Sequence, residues 1–400
     1  MTEFGGLLSA LMTERGLGVR ALARHVPCDP ALISRLASGQ SRPSAQIAAR
    51  LDEVLAAGGE LSDLAVMAPD PGPVFDDEIG AIEAARRAGA TEVGAVTVER
   101  LEQAVDILAV AYPSAAPAKL LSRTGAYLAY ATGLLGRKLT LTEHRRLLVT
   151  SGWLSLLAAT SLIDLRRYGA ADAYLTTATQ MAAEAEHPEL SAWCLETRAW
   201  LALSDGDHQR AASLARGAQG LAPRGSSALI QATAQEGRAW ARLGADRETY
   251  DALARVEALA SPLPVPDRPE HHYRYDPAKA EAYVATTLSW IGDPAAVDIA
   301  RSVLATMESP ADPRPRRAVA ARIDLALALA GTGRPDEAAE ITHEAITSPY
   351  LVPSNYWRAD EVIAAVEPSD PEGSRTLREA ITARRTALPA KTDAPRSPGG

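Results

Sequence analysis

Val19–Ser44 reads VRALARHVPCDPALISRLASGQSRPS. Ala21, Leu22, Val26, Ile33 and Leu36 fall on the apolar sides of two short helices, and Pro27-Cys28-Asp29 breaks the chain between them. Gly39 closes the second helix, and Arg42-Pro43-Ser44 leads into another. This is helix-turn-helix spacing, in which the second helix is held out to enter a DNA major groove. Its place at the N-terminal end of a long helical chain predicts a DNA reader joined to a sensor.

The flanks complete a small domain. Leu7, Leu8, Leu11 and Met12 form the stripe of a first helix ending at Gly16. Ser44 has the chemistry of an N-cap for a fourth helix, with Ile47, Leu51, Val54 and Leu55 on one face. Leu61-Ser62-Asp63-Leu64 opens a short fifth. Residues 1–67 are thus expected to form a five-helix DNA-binding domain. Pro69-Asp70-Pro71-Gly72-Pro73 cannot continue a helix, so residues 68–96 are expected to be a linker and lead-in, solvated by Asp76, Asp77 and Glu78.

From residue 97 to 388 the pattern is of helical hairpins. Turns recur at Tyr168-Gly169, Asp205-Gly206, Leu243-Gly244, Ile291-Gly292 and Thr332-Gly333. Their spacing of roughly 40 residues signals stacked helix pairs rather than one globule. Ala211, Ala218 and Pro223 follow Gly206, and Ala338 and Ala345 follow Gly333. Small residues at these offsets let paired helices approach closely, a lengthened tetratricopeptide pattern. Two loops, Ser261 through His272 and Ser309 through Pro315, interrupt the array. Residues 389–400 are polar and rich in Pro and Gly, the composition of a disordered tail.

Composition agrees with an all-α chain. Hydrophobic residues make up 47% of the 400 residues and aromatics 5%, with Ala and Leu dominant. No apolar run is expected to span a bilayer and no leader opens the chain, so a cytoplasmic protein without membrane contact is expected. Cys28 and Cys194 lie too far apart in sequence for zinc spacing, and a reducing cytosol disfavours a disulfide. The net charge of -9 is wrong for a protein that coats nucleic acid, yet up to Arg50 the balance is basic. There Arg15, Arg20, Arg24, Arg35, Arg42 and Arg50 face Glu3, Glu14 and Asp29. So modest an excess gives weak phosphate-driven affinity per copy, and a homodimer on two half-sites would supply the deficit.

Aligned by residues, the first segment resembles the Xre (Cro/C1-type) family of bacterial regulators. Ala23 stands at the family's close helix–helix contact, Ile33-Ser34-Arg35-Leu36 fits its recognition helix, and Gly39 with Arg42-Pro43-Ser44 fits the following turn. Val19 stands where the family usually has Gln, and Ala37 where it usually has Glu. On helix geometry Pro30, Ala31, Ser34 and Arg35 occupy the exposed early turns of the third helix. Ser34 and Arg35 suit base edges, and Ala31 suits a thymine methyl. Arg20 and Arg42 are placed for phosphates of a double-stranded operator.

Most of the remaining chain resembles actinobacterial Xre regulators with a tetratricopeptide-like C-terminal region. The segments that carry this are Leu141–Arg146 (LTEHRR), Trp193–Trp200 (WCLETRAW), Gln235–Leu243 (QEGRAWARL), His271–Lys279 (HHYRYDPAK) and Val352–Arg358 (VPSNYWR). The resemblance implies a transcriptional regulator with no single agreed ligand. In such repeats the first helix of each pair lines a concave wall. Counting back from the hairpin glycines puts Trp193, Glu196 and Trp200 there, then Gln231, Arg238 and Arg242, then Lys279. These seven are the candidate effector site, suited to a small polar or acidic molecule or an acidic peptide. The competing reading makes the tryptophans core and pairs the arginines with Glu196 or Glu236. Peptide-sensing regulators similar in architecture clamp the peptide backbone with asparagines, and this chain has one, Asn355, so a different ligand or a protein partner for the array is expected at least as much as a peptide.

Other chemistries find no support. His271-His272 with Asp276 could hold a metal only poorly, because adjacent histidines do not converge as an i, i+4 pair does. His343-Glu344 begins like HExxH, but Thr347 occupies the fifth position. No GxxxxGK, GxSxG or GxGxxG is present. An enzyme is not expected, nor a metal or cofactor. The rival to a DNA-binding regulator is a protein-interaction scaffold whose helix-turn-helix no longer binds DNA. The acidic balance, Val19 and Ala37 favour it, while Arg35 and Arg42 oppose it.

Overall fold

The computed structural model describes residues 3–26, 28–67, 92–264, 268, 270–275, 277–309 and 314–386. The proposed linker from Pro69 to Glu78, the tail 389–400, Pro27 and Asp276 lie outside the described residues, as do parts of both loops. Among the described residues the fold is all-α. Contacts divide the chain into units of residues 1–76 and 77–400.

The described residues of the first unit form five helices: α1 (Glu3–Glu14), α2 (Val19–His25), α3 (Pro30–Ser38), α4 (Ala45–Leu55) and α5 (Glu60–Met67). Leu8, Leu22, Val26, Ile33, Leu36, Leu51, Leu55 and Leu61 are fully buried among them. Ser44 caps α4, its hydroxyl accepting from the Ile47 amide at 3.2 Å. Asp52 turns inward and holds the start of α5, its carboxylate accepting from Gly59 and Ser62 amides at 2.7 Å each. Those amide donors outweigh burial and keep the carboxyl below its ordinary range.

The described residues of the second unit begin with α6 (Ala95–Ala111) and α7 (Pro117–Leu135). Six hairpins follow. Their leading helices are α8 (Leu141–Asp164), α10 (Pro188–Ser204), α12 (Ser227–Arg242), α14 (Pro277–Ile291), α16 (Pro315–Gly331) and α18 (Tyr356–Val366). The returning helices are α9 (Tyr168–Glu184), α11 (His208–Leu221), α13 (Asp246–Ala260), α15 (Ala295–Met307), α17 (Pro335–Thr347) and α19 (Pro371–Thr386). Each leading helix touches the next, so the six form one continuous inner layer, with the returning helices packed outside it. Ala211, Ala218, Ala338 and Ala345 are all fully buried, the close approach expected of small residues. Gly237 serves the same end: a Cβ there would meet that of Ala252 at 3.1 Å.

Two sequence expectations need correction. Four hairpin turns do fall at Gly206, Gly244, Gly292 and Gly333, each with positive φ. The fifth does not use Gly169, which lies inside α9; Arg166 takes the left-handed conformation instead, with φ 58°. Second, α8 is long and apolar enough by length and composition to cross a membrane. It is the central helix of the array's first core, and from Leu154 to Asp164 it is buried without a break. Thr140 and Glu143 form a capping box that starts it, with Glu143 N to Thr140 Oγ1 at 3.2 Å and Thr140 N to Glu143 Oε2 at 2.9 Å.

Candidate functional site

The sequence of α3 settles which of its faces is free. Asp29 caps it, accepting from the Ala31 amide at 2.9 Å, and Pro30 takes the first helical position, where no amide is needed. Gly39, at φ 76°, ends it, and the Gln40 amide donates to the Arg35 carbonyl at 2.8 Å. Ile33 and Leu36 point into the core against α2. The opposite face therefore carries Pro30, Ala31, Ser34 and Arg35, all exposed. Arg20 at the start of α2 and Arg42 beyond α3 are exposed too. Arg50 is drawn into a pair with Glu53. Cys28, half-buried, and Cys194, buried, are free thiols. Burial pushes the Cys194 thiol up to about 11, which leaves it protonated and unreactive near neutrality.

In the second unit the inner layer encloses a cavity of about 260 Å³. Thr160 of α8 contributes to its wall, as do Trp193, Glu196 and Trp200 of α10 and Gln231, Gln235 and Arg238 of α12. From the other side come Lys279, Tyr283 and Thr286 of α14, Arg316, Arg317 and Asp324 of α16, and Trp357 and Arg358 of α18. Six of the seven candidates proposed from sequence thus share one cavity. Arg242 does not line it. One turn beyond Arg238, it pairs with Glu361 and lies over Trp290 and Trp357, at 5.2 and 5.9 Å from the ring centroids, tying α12 to α18.

Glu196 is 5% exposed. Burial pushes its carboxyl up to about 7, against the pull of the Gln231 amide at 3.0 Å and of Arg238 and Lys279. Arg238 is 7% exposed; its Nη1 donates to Gln235 Oε1 at 3.1 Å. Its guanidinium lies over Tyr283 and Trp290, at 5.3 and 5.1 Å from the ring centroids. The expected structural partner Glu236 is occupied elsewhere, by Arg255 at 2.8 Å, Gln219 at 2.8 Å and Trp240 at 3.1 Å.

The cavity has contributors that the sequence did not point to. Arg316 reaches back to α8, where it pairs with Asp164, donates to the Tyr112 carbonyl at 2.9 Å and stacks 4.5 Å over the Tyr112 ring. Ser354 Oγ donates to the same Asp164 at 2.9 Å. The fifth inner helix therefore returns to the first. Asp324 gathers Arg358 and, at 2.8 Å, Thr286. The VPSNYWR and HHYRY segments, which stood out in the sequence without an assigned role, supply Asn355, Trp357, Arg358 and His272.

Residues 270–275 cross between α13 and α14 as a strap. Lys279 Nζ donates to the His271 and His272 carbonyls at 3.0 and 3.2 Å. The His272 amide donates to Ala109 O at 3.1 Å, and His271 Nε2 lies 3.1 Å from Asp106 Oδ1. Burial pushes the His271 ring down to about 4, so near neutral pH this contact is a hydrogen bond between a neutral ring and a carboxylate. Among the described residues no group of His, Cys, Asp and Glu side chains is arranged to hold a metal.

Residues 3–65 match the family of the helix-turn-helix domain. No curated protein matches the chain.

Proposed function

We propose that this chain is a sequence-specific, DNA-binding transcriptional regulator whose tetratricopeptide-like array dimerises and senses an effector, with no catalytic activity of its own. The family match over residues 3–65 supports a DNA-binding regulator in general. The observation that carries the finer reading is the free face of α3. Ser34 and Arg35 stand exposed on a helix whose other face is locked into the core. Arg35 offers the fork that grips guanine O6 and N7, and Arg20 and Arg42 flank it at positions suited to phosphates. Two copies on half-sites about one helical turn apart would add the charge that one small domain lacks. A DNA reader works where DNA is, so this reading places the protein in the cytoplasm. The cavity of the array is where an effector would act, by stabilising one arrangement of the inner layer over another.

The test is selection of bound sequences from random DNA, followed by gel shifts across a salt series. Arg35→Ala is expected to weaken the best site by about 1–3 kcal/mol and to relax the preference at one base pair. Arg42→Ala is expected to weaken all sequences alike and to lower the salt slope by about 1. If Arg35→Ala leaves the best site untouched, α3 is not the reading helix.

A further inference from the structure

The wall of the array's cavity is one-sided in its chemistry; its assignment as a ligand site rests on the effector role proposed for the array. Charge comes first. Five cations line the cavity against two carboxylates, Glu196 and Asp324. Most are already committed: Arg316 to Asp164, Arg358 to Asp324, Arg317 to Glu270 at 3.3 Å, and Lys279 to backbone carbonyls of the strap. Among the described residues Arg238 makes no ion pair; its one side-chain hydrogen bond is to a neutral amide. A buried guanidinium that interacts with Glu196 and Asp324 only at longer range, and pairs directly with neither, keeps hydrogen-bonding capacity for an anion.

Hydrogen-bonding capacity points the same way. The indole of Trp193 is drawn to Glu189. Four other buried side-chain atoms on this wall lack a partner: Arg238 Nε, Gln235 Nε2, Arg358 Nε and Trp357 Nε1. Each is an N–H donor, and no side-chain acceptor on the wall is left in that state among the described residues. A buried donor without a partner costs about 1–3 kcal/mol, and although these four atoms are enclosed by protein, all lie on residues that line the cavity, which makes the lining richer in donors than in acceptors. Shape adds the rest. Trp200, Tyr283 and Trp357 add aromatic rings to the lining, and about 260 Å³ is room for a small molecule.

We propose that the cavity binds a small organic anion, a carboxylate or phosphate carried on a flat apolar body, with Arg238 making the charge-assisted contact. The anion completes the hydrogen bonding of the wall and the aromatic rings cover its body. Arg238 stands on α12 and Arg358 on α18, so a ligand held between them would tie the third and sixth inner helices together.

The test uses the full chain and three probes of similar shape: phthalate, phenyl phosphate, and uncharged phthalamide. Binding is read by tryptophan fluorescence and by titration calorimetry. At least one anion is expected to bind about tenfold or more tightly than phthalamide, a difference of about 1.4 kcal/mol. The two anions separate carboxylate from phosphate. Arg238→Gln is expected to erase that preference and Arg238→Lys to keep part of it, with circular dichroism melting showing that both fold. Equal binding of phthalamide, or no binding of either anion at millimolar concentration, overturns the anion assignment and leaves the effector reading standing. Anion binding that leaves operator affinity unchanged in gel shifts keeps the anion site and overturns its role as effector. Should Arg238→Gln fail to fold, the comparison of anion with amide on the unaltered protein decides alone.

Discussion

Asp52 is the one buried polar or charged side chain among the described residues of the N-terminal unit, whereas the array buries Asp164, Glu196, Arg238, Arg316, Asp324 and Arg358 among others. The first unit keeps an apolar core and places its candidate groups, Arg20, Ser34, Arg35 and Arg42, outside it. The array uses buried charges both to hold its inner layer together and to furnish the wall of its cavity. On the proposed reading, function and stability are therefore separable in one region and shared by the same residues in the other. Substitution of the exposed Arg35 on α3 is, on that reading, expected to alter DNA binding with a stability change within about 0.5 kcal/mol. Substitution of a cavity arginine alters both.

The contrast is sharpest at Arg316, where the largest effect is expected. Arg316→Met removes the charged partner of Asp164, which is 1% exposed and would keep only the hydroxyls of Ser354 and Tyr112. Loss of one member of such a pair costs about 3–5 kcal/mol, and adding Asp164→Leu should restore much of it. Urea unfolding followed by tryptophan fluorescence reports the array alone. All six tryptophans, Trp153, Trp193, Trp200, Trp240, Trp290 and Trp357, lie beyond the first unit. A midpoint unchanged in Arg316→Met would mean that the return of α16 to α8 is held by apolar packing, and the proposed contrast between the units would collapse.

The same contrast explains what was legible in the sequence. The α3 face is written locally: Asp29, Pro30 and Gly39 fix the ends of one short helix, and the apolar Ile33 and Leu36 fix its orientation. A period of 3.6 residues then assigns every exposed position. The cavity was half legible for the same reason. Hairpin glycines set the phase of α10 and α12, so Trp193, Glu196, Trp200, Gln231 and Arg238 could be placed on one wall. Arg242 was misplaced because it follows Arg238 by four residues and shares its helix face, yet by that point α18 has closed over α12 through Glu361. Arg316, Asp324 and Arg358 were missed because their place depends on how far six hairpins curl. That is a sum of small rotations, and no single segment encodes it. Gly169 misled for a simpler reason: a glycine in the first turn of α9 looks like a hairpin glycine until Arg166 is seen to make the turn.

A buried charge also makes the array sensitive to pH in a way that can be isolated. The Glu196 carboxyl is raised to about 7 in the folded chain from an ordinary 4.5. Between those values the folded state binds more protons than the unfolded one, so this group's contribution is full below about 4.5 and is lost as pH rises through about 7. His271, lowered from 6.5 to about 4, acts in the opposite sense: its contribution is full above 6.5 and is lost as pH falls through 4. Between about 4.5 and 6.5 these two groups oppose one another. Glu196→Gln keeps an acceptor for Gln231 and removes the titration. Its stability relative to the unaltered chain should rise with pH from about 4.5 to about 7 and then level, by on the order of 1–3 kcal/mol. A difference flat across that range would show that Glu196 is hydrated, not buried as charge.

The smallest effect is expected at Asp52, the one buried charge among the described residues of the first unit. Asp52 touches two amides, of Gly59 and Ser62, at the start of α5, and no cation is needed to hold it. Asp52→Ala leaves both donors short of a partner in a half-buried site, for a loss of about 1–2 kcal/mol confined to α4 and α5. Asp52→Asn keeps one acceptor oxygen and should recover part of that. Because the folded carboxyl lies below its ordinary 3.8, the contribution is present above that value and is lost as pH falls below it, the reverse of Glu196. Tryptophan fluorescence is blind to this unit, so the measurement is hydrogen exchange on peptides covering residues 45–67. Faster exchange there, with the array's peptides unchanged, is the expected result. Acceleration spreading into α10 and α12 would show that the two units do not unfold independently, and that the separation of function from stability in the first unit is not its own property.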